Sequence, residues 1–323
     1  MQIKGSTVLI TGGAGFIGSH IIDQLLLKKP KKIIVLDDFS RGTSANIEHA
    51  TKSGIVEIIT ADIRKKAQIA PHMKGVDYVY HEAAVRITRC AEDPRIAQEV
   101  LVDGSFNLLE LAVKNKIKKF IFASSASVYG DPSYLPMDEK HPFNNTTAYG
   151  AGKIATEEML KAFHAMYGLP YIILRNFNVY GPRMDIYGVY TEVLIKWLDK
   201  IDKNEAPVIH GTGEQALDFV YVEDVARANI KAVESDIQEG VYNVGTGVAT
   251  SLKQLLEILL ELSHAKLTPV FETSVKRPYV QKRIADITKS KEELGFRANI
   301  TVREGLQKLI VWRQEQLAKK PKV

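Results

Sequence analysis

One cysteine, Cys90, is all that the 323 residues contain, and no stretch reaches 18 uninterrupted apolar residues. A single cysteine excludes an internal disulfide framework and is typical of a reducing compartment, so we interpret Cys90 as a packing residue. Even the apolar helical pattern LLEILLEL at 255–262 carries glutamates at helical spacing, and no membrane span is predicted. The first residues show no secretory leader, and we expect a cytoplasmic protein.

Positive charge is not gathered into one stripe. The formal net charge is +5, and the lysine runs at 28–32 and 319–322 lie far apart without interleaved aromatic residues. A nucleic-acid partner is therefore not expected, although a mildly positive field suits a phosphorylated substrate. We expect no metal site either.

Apolar, β-rich segments alternate with helical patterns through the first 180 residues or so. We predict strands at 6–11, 31–38, 56–62, 76–84, 118–130 and 170–181, with helices that include 97–115 and 150–168. Strands that are apolar on both faces indicate a parallel sheet covered by helices on both sides. The predicted fold is therefore α/β, with a doubly wound parallel sheet of the Rossmann type.

The alternation loosens after residue 181. The pattern there predicts helices at 191–203 and 251–264, an extended piece around 267–285 and a last helix from about 302. We interpret this part as a smaller α/β unit, built from separated segments beside the large sheet.

The segment TGGAGFIG places Gly12, Gly15 and Gly18 at a strand-to-helix junction. Glycines there permit a tight turn and a close approach of the backbone to a pyrophosphate, which lies on the helix N-terminus. The next strand ends in Asp37, at about the spacing of 20 residues that places a carboxylate at the adenosine ribose. This favours NAD over NADP, and Arg41 keeps NADP as an alternative.

Other cofactor contacts are expected around the same turn and at the ends of the following strands. Asp62, which ends the third strand, is expected at the adenine, with loop capping as the alternative. The remaining predicted contacts are Phe16, Ile17, Ile63 and Ala83.

The segment TTAYGAGKIATEE at 146–158 contains a tyrosine and a lysine at (i, i+4) spacing, Tyr149 and Lys153. The two side chains share one helix face. An ammonium group beside a phenol favours the phenolate, so we predict that Lys153 lowers the pKa of Tyr149 toward that of a general base. Such a pair is also common on protein surfaces, and its meaning depends on the other motifs.

These motifs, with SSASVYG at 124–130, resemble the extended short-chain dehydrogenase/reductase family, in its branch that acts on nucleotide-sugars. The overall pattern is most similar to the UDP-hexose 4-epimerases. Other matching segments are HEAA (81–84), LRNFNVYGPR (174–183), DFVYVEDVARA (218–228), YNVGTG (242–247) and ADITKSKEELGF (285–296).

The resemblance implies NAD-dependent 4-epimerisation of a nucleotide-diphosphate sugar through a transient 4-keto intermediate. Tyr149 would take the proton of the sugar 4-hydroxyl, and Lys153 would hold the nicotinamide ribose. Ser125 would hydrogen-bond the reacting oxygen, with Ser124 as the alternative. Because NAD is regenerated in each turnover, tight binding of the cofactor is expected.

Substrate contacts follow from the same resemblance. Asn178 matches the asparagine that contacts the diphosphate-linked sugar, with a residue that only turns the strand end as the alternative. Arg277 resembles the arginine that clamps the nucleotide diphosphate, but Leu217 stands where relatives carry a phosphate-binding arginine. We hypothesise that Arg283 replaces that arginine or meets a carboxylate on the sugar; a solvent-facing arginine is the alternative. UDP is the nucleotide we expect, while hexoses, N-acetylhexosamines and uronic acids all remain open as the sugar.

Three enzymatic alternatives and one non-enzymatic alternative remain. Sugar 4,6-dehydratases and uronic-acid decarboxylases resemble each other in an acidic residue just before VYG, whereas this chain has Ser125, Ala126 and Ser127. A 4-ketoreductase would release its cofactor between turnovers, and an NAD-sensing regulator would not need the tyrosine, the lysine and the serine together.

The resemblance also implies a homodimer that pairs the helices at 97–115 and 150–168 in a four-helix bundle. Residues 1–174 and 212–242 are assigned to an NAD-binding domain, and 175–211 and 243–323 to a nucleotide-sugar-binding domain. Polysaccharide biosynthesis is the setting that we expect for such an enzyme.

Overall fold

A computed structural model describes residues 2–186, 193–272 and 282–319 of the chain. Its strands are β1 (Thr7–Thr11), β2 (Lys32–Asp37), β3 (Val56–Thr60), β4 (Tyr78–His81), β5 (Lys119–Ser125), β6 (Tyr171–Asn176), β7 (Asn178–Tyr180), β8 (Val208–His210), β9 (Ala216–Leu217), β10 (Phe219–Tyr221), β11 (Glu239–Val244), β12 (Thr250–Ser251), β13 (Val270–Glu272) and β14 (Lys282–Arg283).

Its helices are α1 (Phe16–Leu27), α2 (Glu48–Thr51), α3 (Lys66–Ile69), α4 (Ile87–Glu92), α5 (Pro94–Ile96), α6 (Ser105–Lys114), α7 (Ala148–Tyr167), α8 (Val193–Asp202), α9 (Val222–Glu234), α10 (Leu252–Leu262), α11 (Thr288–Glu293) and α12 (Val302–Lys319). A segment with the wider π-helical turn, Ala97–Gly104, joins α5 to α6.

Seven parallel strands form the central sheet, in the order β11-β6-β5-β4-β1-β2-β3. From β1 the chain moves to β2 and β3 on one side, and then to β4, β5, β6 and β11 on the other. The predicted doubly wound α/β fold is confirmed by this order. A ligand site is expected where the direction reverses, outside the carboxyl ends of β1 and β4.

Successive apolar residues of each strand pack on opposite faces of this sheet. Ile10 and Val35 belong to the core beneath α1 and α9, whereas Leu9 and Leu36 belong to the core beneath α6. Burial of each such side chain contributes about 1.5–3 kcal/mol, which explains why these strands are apolar throughout.

A third apolar core joins α8, α10 and α12. Trp197 of α8 is buried there, and its indole N–H donates to the carbonyl oxygen of Val208 at 2.7 Å. Arg313 of α12 forms ion pairs with Asp199 and Asp202 of α8. These contacts hold the last helix against the segment that follows the large sheet.

Two of the predicted substrate residues, Asn178 and Arg283, lie on short strands, and so does Leu217. The strands β7 and β10 form a parallel pair, and β9 lies between β12 and β14. Because β11 extends to Val244, the large sheet reaches two residues beyond the boundary assigned at 242. The assignment of the chain to two domains remains a prediction.

The predicted helix at 150–168 begins earlier than expected, at Ala148. Thr147 caps it, because its hydroxyl oxygen accepts a hydrogen bond from the Gly150 N–H at 3.0 Å. The helix ends before Gly168, which has a φ of +69° and adopts the left-handed conformation typical of such ends. The earlier start places Tyr149 in the first turn of the helix.

Candidate functional site

The turn between β1 and α1 has no room for side chains at its glycines. Gly12 has a φ of +68°, and a Cβ atom there would lie 2.8 Å from the backbone nitrogen of Ala83. At Gly18 a Cβ would lie 2.3 Å from the Gly12 carbonyl oxygen. Gly15 precedes α1 without a side-chain cap among the described residues, which leaves backbone N–H groups for an anion. These features fit the pyrophosphate of a dinucleotide.

Asp37 lies beside this turn at the end of β2. Its carboxylate accepts hydrogen bonds from the backbone N–H groups of Ala14 and Phe39, each at 2.9 Å. A Cβ at Gly42 would lie 2.8 Å from Asp37 Oδ1, so the glycine keeps this side of the carboxylate open. Burial raises the pKa of Asp37. The carboxylate is thus held in a fixed orientation, as a ribose-binding group requires.

Asp62 is already engaged by a neighbour that the sequence analysis did not identify. Arg64 donates to both of its carboxylate oxygens, from Nε at 3.0 and 2.9 Å and from Nη2 at 2.7 Å. Partial burial opposes the effect, but hydrogen bonds from Arg64 lower the pKa of Asp62. The next residue, Ile63, is buried against Gly104. An adenine contact at Asp62 therefore remains a prediction, and would involve an arginine-paired carboxylate.

Lys153 lies one helical turn after Tyr149 and reaches the end of β5. Its Nζ donates to the carbonyl oxygen of Ala123 at 2.6 Å, 4.8 Å from the Phe122 ring centroid and 5.8 Å from the Tyr149 ring centroid. The side chain is only 2% exposed. Cys90 packs beside Tyr149 in a small apolar cluster, as expected for a packing residue.

Burial controls the protonation of this pair. It raises the pKa of Tyr149 to about 12, against a hydrogen bond from Ser125 that lowers it. It lowers the pKa of Lys153 to about 8, against the charges of Glu82 and Glu157. The net shift of Tyr149 in the protein chain is upward, opposite to our prediction, because desolvation of the phenolate outweighs the stabilising interactions around it.

The two serines at the end of β5 have different surroundings. Ser124 Oγ donates to Glu157 Oε1 at 2.5 Å, inside the protein. Ser125 Oγ accepts from the backbone N–H of Ser127 and donates to the Ser127 hydroxyl, each at 3.1 Å, and Ser125 also lowers the pKa of Tyr149. Ser125, and not Ser124, therefore shares the site with the tyrosine.

A buried ion pair lies behind this serine turn. Arg175 of β6 contacts Glu157 of α7 at 2.6 Å, and both side chains are buried. Arg175 also donates to the Tyr129 hydroxyl at 3.0 Å, and that hydroxyl donates to Asn243 at 2.6 Å. Sequence analysis missed this network, although the single charged residue inside the apolar run YIILRN was its signal.

Glu82 is a second acidic group near the site that sequence analysis did not single out. It directly follows β4, and its Oε1 is buried with no hydrogen-bond partner among the described residues. Burial raises the pKa of Glu82 to about 7, against the charge of Lys153.

A cavity of about 250 Å³ opens beside β7 and β9. Asn178 lies at its edge and donates its side-chain amide to the Asp218 carbonyl oxygen at 3.0 Å. Leu217 lines the same cavity. The residues around it are Asn178, Val179, Tyr180, Met184, Val193, Leu194, Leu217, Phe219 and Leu252.

Arg283 is the register partner of Leu217 in the pairing of β14 with β9. Its Nη2 donates to the Gly130 carbonyl oxygen at 3.3 Å, while its Nε is buried and has no partner within the described residues. Burial lowers the pKa of Arg283, against the charge of Asp131. The Arg283 side chain is thus half-buried, and its role toward a substrate remains a prediction. Arg277 lies outside the described residues.

Two arginines follow β4, one just before α4 and one within it. Arg86 lies 3.6 Å from Asp185, and this ion pair links the loop after β4 to the segment after β7. Arg89 is exposed beside Glu92 of the same helix.

Within the described ranges, no helix is both long and apolar enough to cross a membrane. The same residues contain no cluster of histidine, cysteine, aspartate and glutamate that could hold a metal ion.

Residues 8–245 match the family model described as the NAD dependent epimerase/dehydratase family. A Methanocaldococcus jannaschii protein named "Putative UDP-glucose 4-epimerase" is 38% identical over 308 residues, which cover 94% of this chain and 97% of that protein. A Bacillus cytotoxicus UDP-N-acetyl-alpha-D-glucosaminuronate decarboxylase is 31% identical over 325 residues, covering 95% and 97%.

The crystal structure of a UDP-glucose 4-epimerase from Thermotoga maritima, with UDP-glucose, is also similar. Its TM-score is 0.89 at 35% identity, and the match covers 96% of this chain and 99% of that one.

Proposed function

Because the chain belongs to the NAD-dependent epimerase/dehydratase family, we propose that it is an NAD-dependent 4-epimerase of a nucleotide-diphosphate sugar. The observation that carries this proposal is the meeting of Tyr149, Lys153 and Ser125 at the carboxyl end of β5. The turn that follows Ser125 contributes hydroxyl groups and an alanine but no carboxylate.

The glycine turn and its neighbours would hold the dinucleotide. The turn residues Gly12, Gly15 and Gly18 would face the pyrophosphate, and Asp37 the adenosine ribose. Phe16, Ile17, Asp62, Ile63 and Ala83 complete the proposed set, with Tyr149 and Lys153 at the nicotinamide ribose. When bound, NAD supplies a hydride acceptor that later returns the hydride, beside a positively charged ring.

The chemistry of the chain itself is proton transfer at one sugar oxygen. Tyr149 would take the proton of the 4-hydroxyl as the C4 hydrogen leaves as hydride, and Ser125 would donate a hydrogen bond to that oxygen. The 4-keto sugar then turns, receives the hydride on its other face and regains the proton from Tyr149. Proton and hydride are both returned, so each turnover is redox-neutral.

The Lys153 ammonium has two tasks in this scheme. It would donate hydrogen bonds to the nicotinamide ribose when NAD is bound, and its charge would favour the Tyr149 phenolate. Since the pKa of Tyr149 in the protein chain is raised to about 12, mainly by burial, the tyrosine depends on cations beside it to act as a base near neutral pH.

A decarboxylase among the relatives means that the family alone does not specify the reaction. The resemblance implies that dehydratases and decarboxylases place an acidic residue just before VYG. Ser125 and Ser127 instead hydrogen-bond each other across that turn. This arrangement favours 4-epimerisation over elimination or decarboxylation.

We also propose how the chain grips the diphosphate. Leu217 lines the cavity beside Asn178, and Arg283 lies next to Leu217 on the adjacent strand with its Nε unpartnered among the described residues. Arg283 therefore supplies the guanidinium that is missing at Leu217, and Arg277 is a further proposed contact. A uridine diphosphate is the expected nucleotide, and the sugar is a hexose, an N-acetylhexosamine or a uronic acid.

A homodimer through α6, the π-helical segment and α7 completes the proposal. Apolar side chains on these helices are exposed: Phe106 at 41%, Met166 at 67% and Tyr167 at 55%. Pairing of these helices with a second copy would bury them. Polysaccharide biosynthesis is the setting that we propose for the enzyme.

The test is NMR of the purified protein, without added cofactor, incubated in turn with UDP-glucose, UDP-N-acetylglucosamine and UDP-glucuronate. We expect an equilibrium mixture of C4 epimers from one of them, and none with the Tyr149→Phe variant. A 4-keto-6-deoxy or decarboxylated product would contradict the epimerase assignment, and so would activity that consumes added NADH.

A further inference from the structure

Three buried polar side chains form a row across the large sheet. Ser124 of β5, Arg175 of β6 and Asn243 of β11 are register partners on adjacent strands, and each is at most 3% exposed. Register partners of parallel strands present their side chains to the same face of a sheet. Polar groups inside a protein are unfavourable for folding unless they have partners, so the contacts of this row indicate what it does.

Glu157 of α7 binds the first two members of the row. Its Oε1 accepts from the Ser124 hydroxyl at 2.5 Å. Its two carboxylate oxygens accept from Arg175 Nε at 3.0 and 3.2 Å, and Oε2 accepts from Nη2 at 2.6 Å. One helical turn earlier, Lys153 donates to the Ala123 carbonyl oxygen at 2.6 Å. Two successive turns of α7 therefore hold the end of β5.

Arg175 also binds the segment that connects β5 to α7. Its Nη1 donates to the Tyr129 hydroxyl and to the Glu139 carbonyl oxygen, each at 3.0 Å. The Tyr129 hydroxyl donates to Asn243 Oδ1 at 2.6 Å, and the Asn243 side-chain amide donates to the Met137 carbonyl oxygen at 2.8 Å. The polar row thus holds this segment at several separate points.

The start of the same segment packs against the first turn of α7. The turn Ala126–Val128 directly follows Ser125, whose Oγ accepts from the Ser127 backbone N–H at 3.1 Å. A Cβ on Gly150 would lie 2.9 Å from the Ser127 carbonyl oxygen, so the turn closely approaches the residue after Tyr149. A shift of the turn relative to α7 would therefore change the distance between Ser125 and Tyr149.

The ion pair of Glu157 with Arg175 is not explained by stability alone. The free energy lost when two charges leave water offsets most of their attraction, and apolar side chains of similar volume often stabilise a fold equally well. Apolar side chains could not accept the Ser124 hydroxyl or donate to Tyr129. What the charged pair adds is a fixed orientation of the elements that it joins.

We propose that Arg175 is a positioning residue for the reaction, which acts through Glu157 and Tyr129 to fix the turn between Ser125 and α7. Because Arg175 is only 2% exposed, it acts through these neighbours and not on a ligand. The proposal rests on the proposed function for the roles of Ser125 and Tyr149, but the position of the turn can be tested without any sugar.

The first experiment is the Arg175→Lys variant. Its ammonium group retains the charge opposite Glu157, but a single nitrogen cannot bridge Glu157, Tyr129 and Glu139 as the separate nitrogens of a guanidinium do. We expect kcat to fall about tenfold to a hundredfold, the effect of a small displacement of reacting groups, while KM and NAD retention change little. The substrate is whichever nucleotide-sugar the protein converts. An unchanged kcat would overturn the proposal.

Arg313→Lys is the matched control. Arg313 is 4% exposed and pairs with Asp199 and Asp202, so the control also alters a buried arginine that bridges two groups. Urea unfolding should show that both variants are destabilised, whereas kcat per folded molecule should fall in Arg175→Lys alone. Equal loss of kcat in the two variants would mean that activity follows stability, and would also overturn the proposal.

A double variant separates positioning from stability. Glu157→Leu combined with Arg175→Met removes both charges and fills the space, and it should be more stable than Arg175→Met alone. We expect its kcat to remain low, because neither side chain binds Ser124 or Tyr129. Recovery of kcat together with stability would contradict the proposal. If the double variant does not fold, the comparison with Arg313→Lys decides the question.

Hydrogen exchange, measured by mass spectrometry without any sugar, tests the position of the turn itself. The backbone N–H groups of Tyr129 and Gly130 donate to carbonyl oxygens of Ala126 and Ser127. In Arg175→Lys, peptides that cover 126–130 should exchange several-fold faster, while those that cover the glycine turn at 12–18 should not change. Unchanged exchange at 126–130 would overturn the proposal. Because no sugar is present, failure of the proposed epimerase activity would not alter this outcome.

Discussion

The cofactor side of the candidate site is formed mainly by backbone atoms, whereas the substrate side is formed mainly by side chains. On the cofactor side, backbone atoms determine the shape of the site. A Cβ atom added at Gly12 or Gly18 would lie within 3 Å of a neighbouring backbone atom, and two backbone N–H groups hold the Asp37 carboxylate. On the substrate side, the side chain of Leu217 lines a cavity, and Arg283 is its register partner on the adjacent short strand. A backbone-built surface tolerates little substitution, whereas a side-chain-built surface can exchange residues while the fold persists.

The reacting residues lie between these two sides and should show the largest effect. Tyr149→Phe removes the one hydroxyl that is proposed to exchange a proton with the sugar, and we expect kcat to fall by about 10²–10⁴-fold. Retention of NAD should be nearly unchanged, which is measured from the cofactor released on denaturation. Normal turnover in this variant would remove Tyr149 from the mechanism.

A glycine substitution tests the cofactor side. Gly18→Ala places a methyl group 2.3 Å from the Gly12 carbonyl oxygen. Since the turn must open to relieve the overlap, we expect NAD affinity to fall about a hundredfold by calorimetry.

Gly54→Ala is the control for that variant. Its φ of +74° makes alanine strained there too, but no atom lies within 4 Å of the added Cβ. It should lower stability slightly and leave NAD binding intact. Equal loss in the two variants would mean that backbone strain, and not close approach, explains the result.

An exchange of side chains tests the substrate side. Arg283→Leu should raise KM about tenfold to a hundredfold, the range expected for a lost hydrogen bond to a charged phosphate, with kcat changed less. Adding Leu217→Arg to this variant should recover much of the loss, because the two positions are register partners. An unchanged KM in the single variant would contradict the proposal that Arg283 binds the substrate diphosphate.

The adjacent serines give the smallest and sharpest contrast. Ser125→Ala should lower kcat about tenfold with little change in stability, whereas Ser124→Ala leaves Glu157 short of a donor and should cost about 1–3 kcal/mol of unfolding free energy. Steady-state kinetics and urea unfolding measure the two effects. Reversed outcomes would exchange the roles assigned to the two hydroxyls.

Local patterns in the sequence were sufficient to predict the doubly wound α/β fold, the glycine turn and the shared helix face of Tyr149 and Lys153. Each depends on residues close together in the chain, on periodicity or on a turn that requires glycine. The fold class was confirmed by the seven parallel strands, and the last helix begins at Val302 as predicted.

Features that depend on long-range contacts could not be predicted in this way. The Arg175–Glu157 pair joins residues on two elements, and its partners Tyr129 and Asn243 are far away in the chain. The upward shift in the pKa of Tyr149 arises from burial, which a spacing rule does not contain. Glu82 was quoted only as part of a motif, since its lack of a partner is visible only when its surroundings are known.

The pairing of β9 with β14 has a consequence for how such a pocket can evolve. Leu217 and Arg283 are neighbours on adjacent strands, although they lie far apart in the sequence. A chain that carried arginine on both strands could lose either one and still keep a guanidinium on this pair of strands. A sequence alignment would record the loss of an arginine at one position and its gain at another, although the strand pair would carry one arginine throughout.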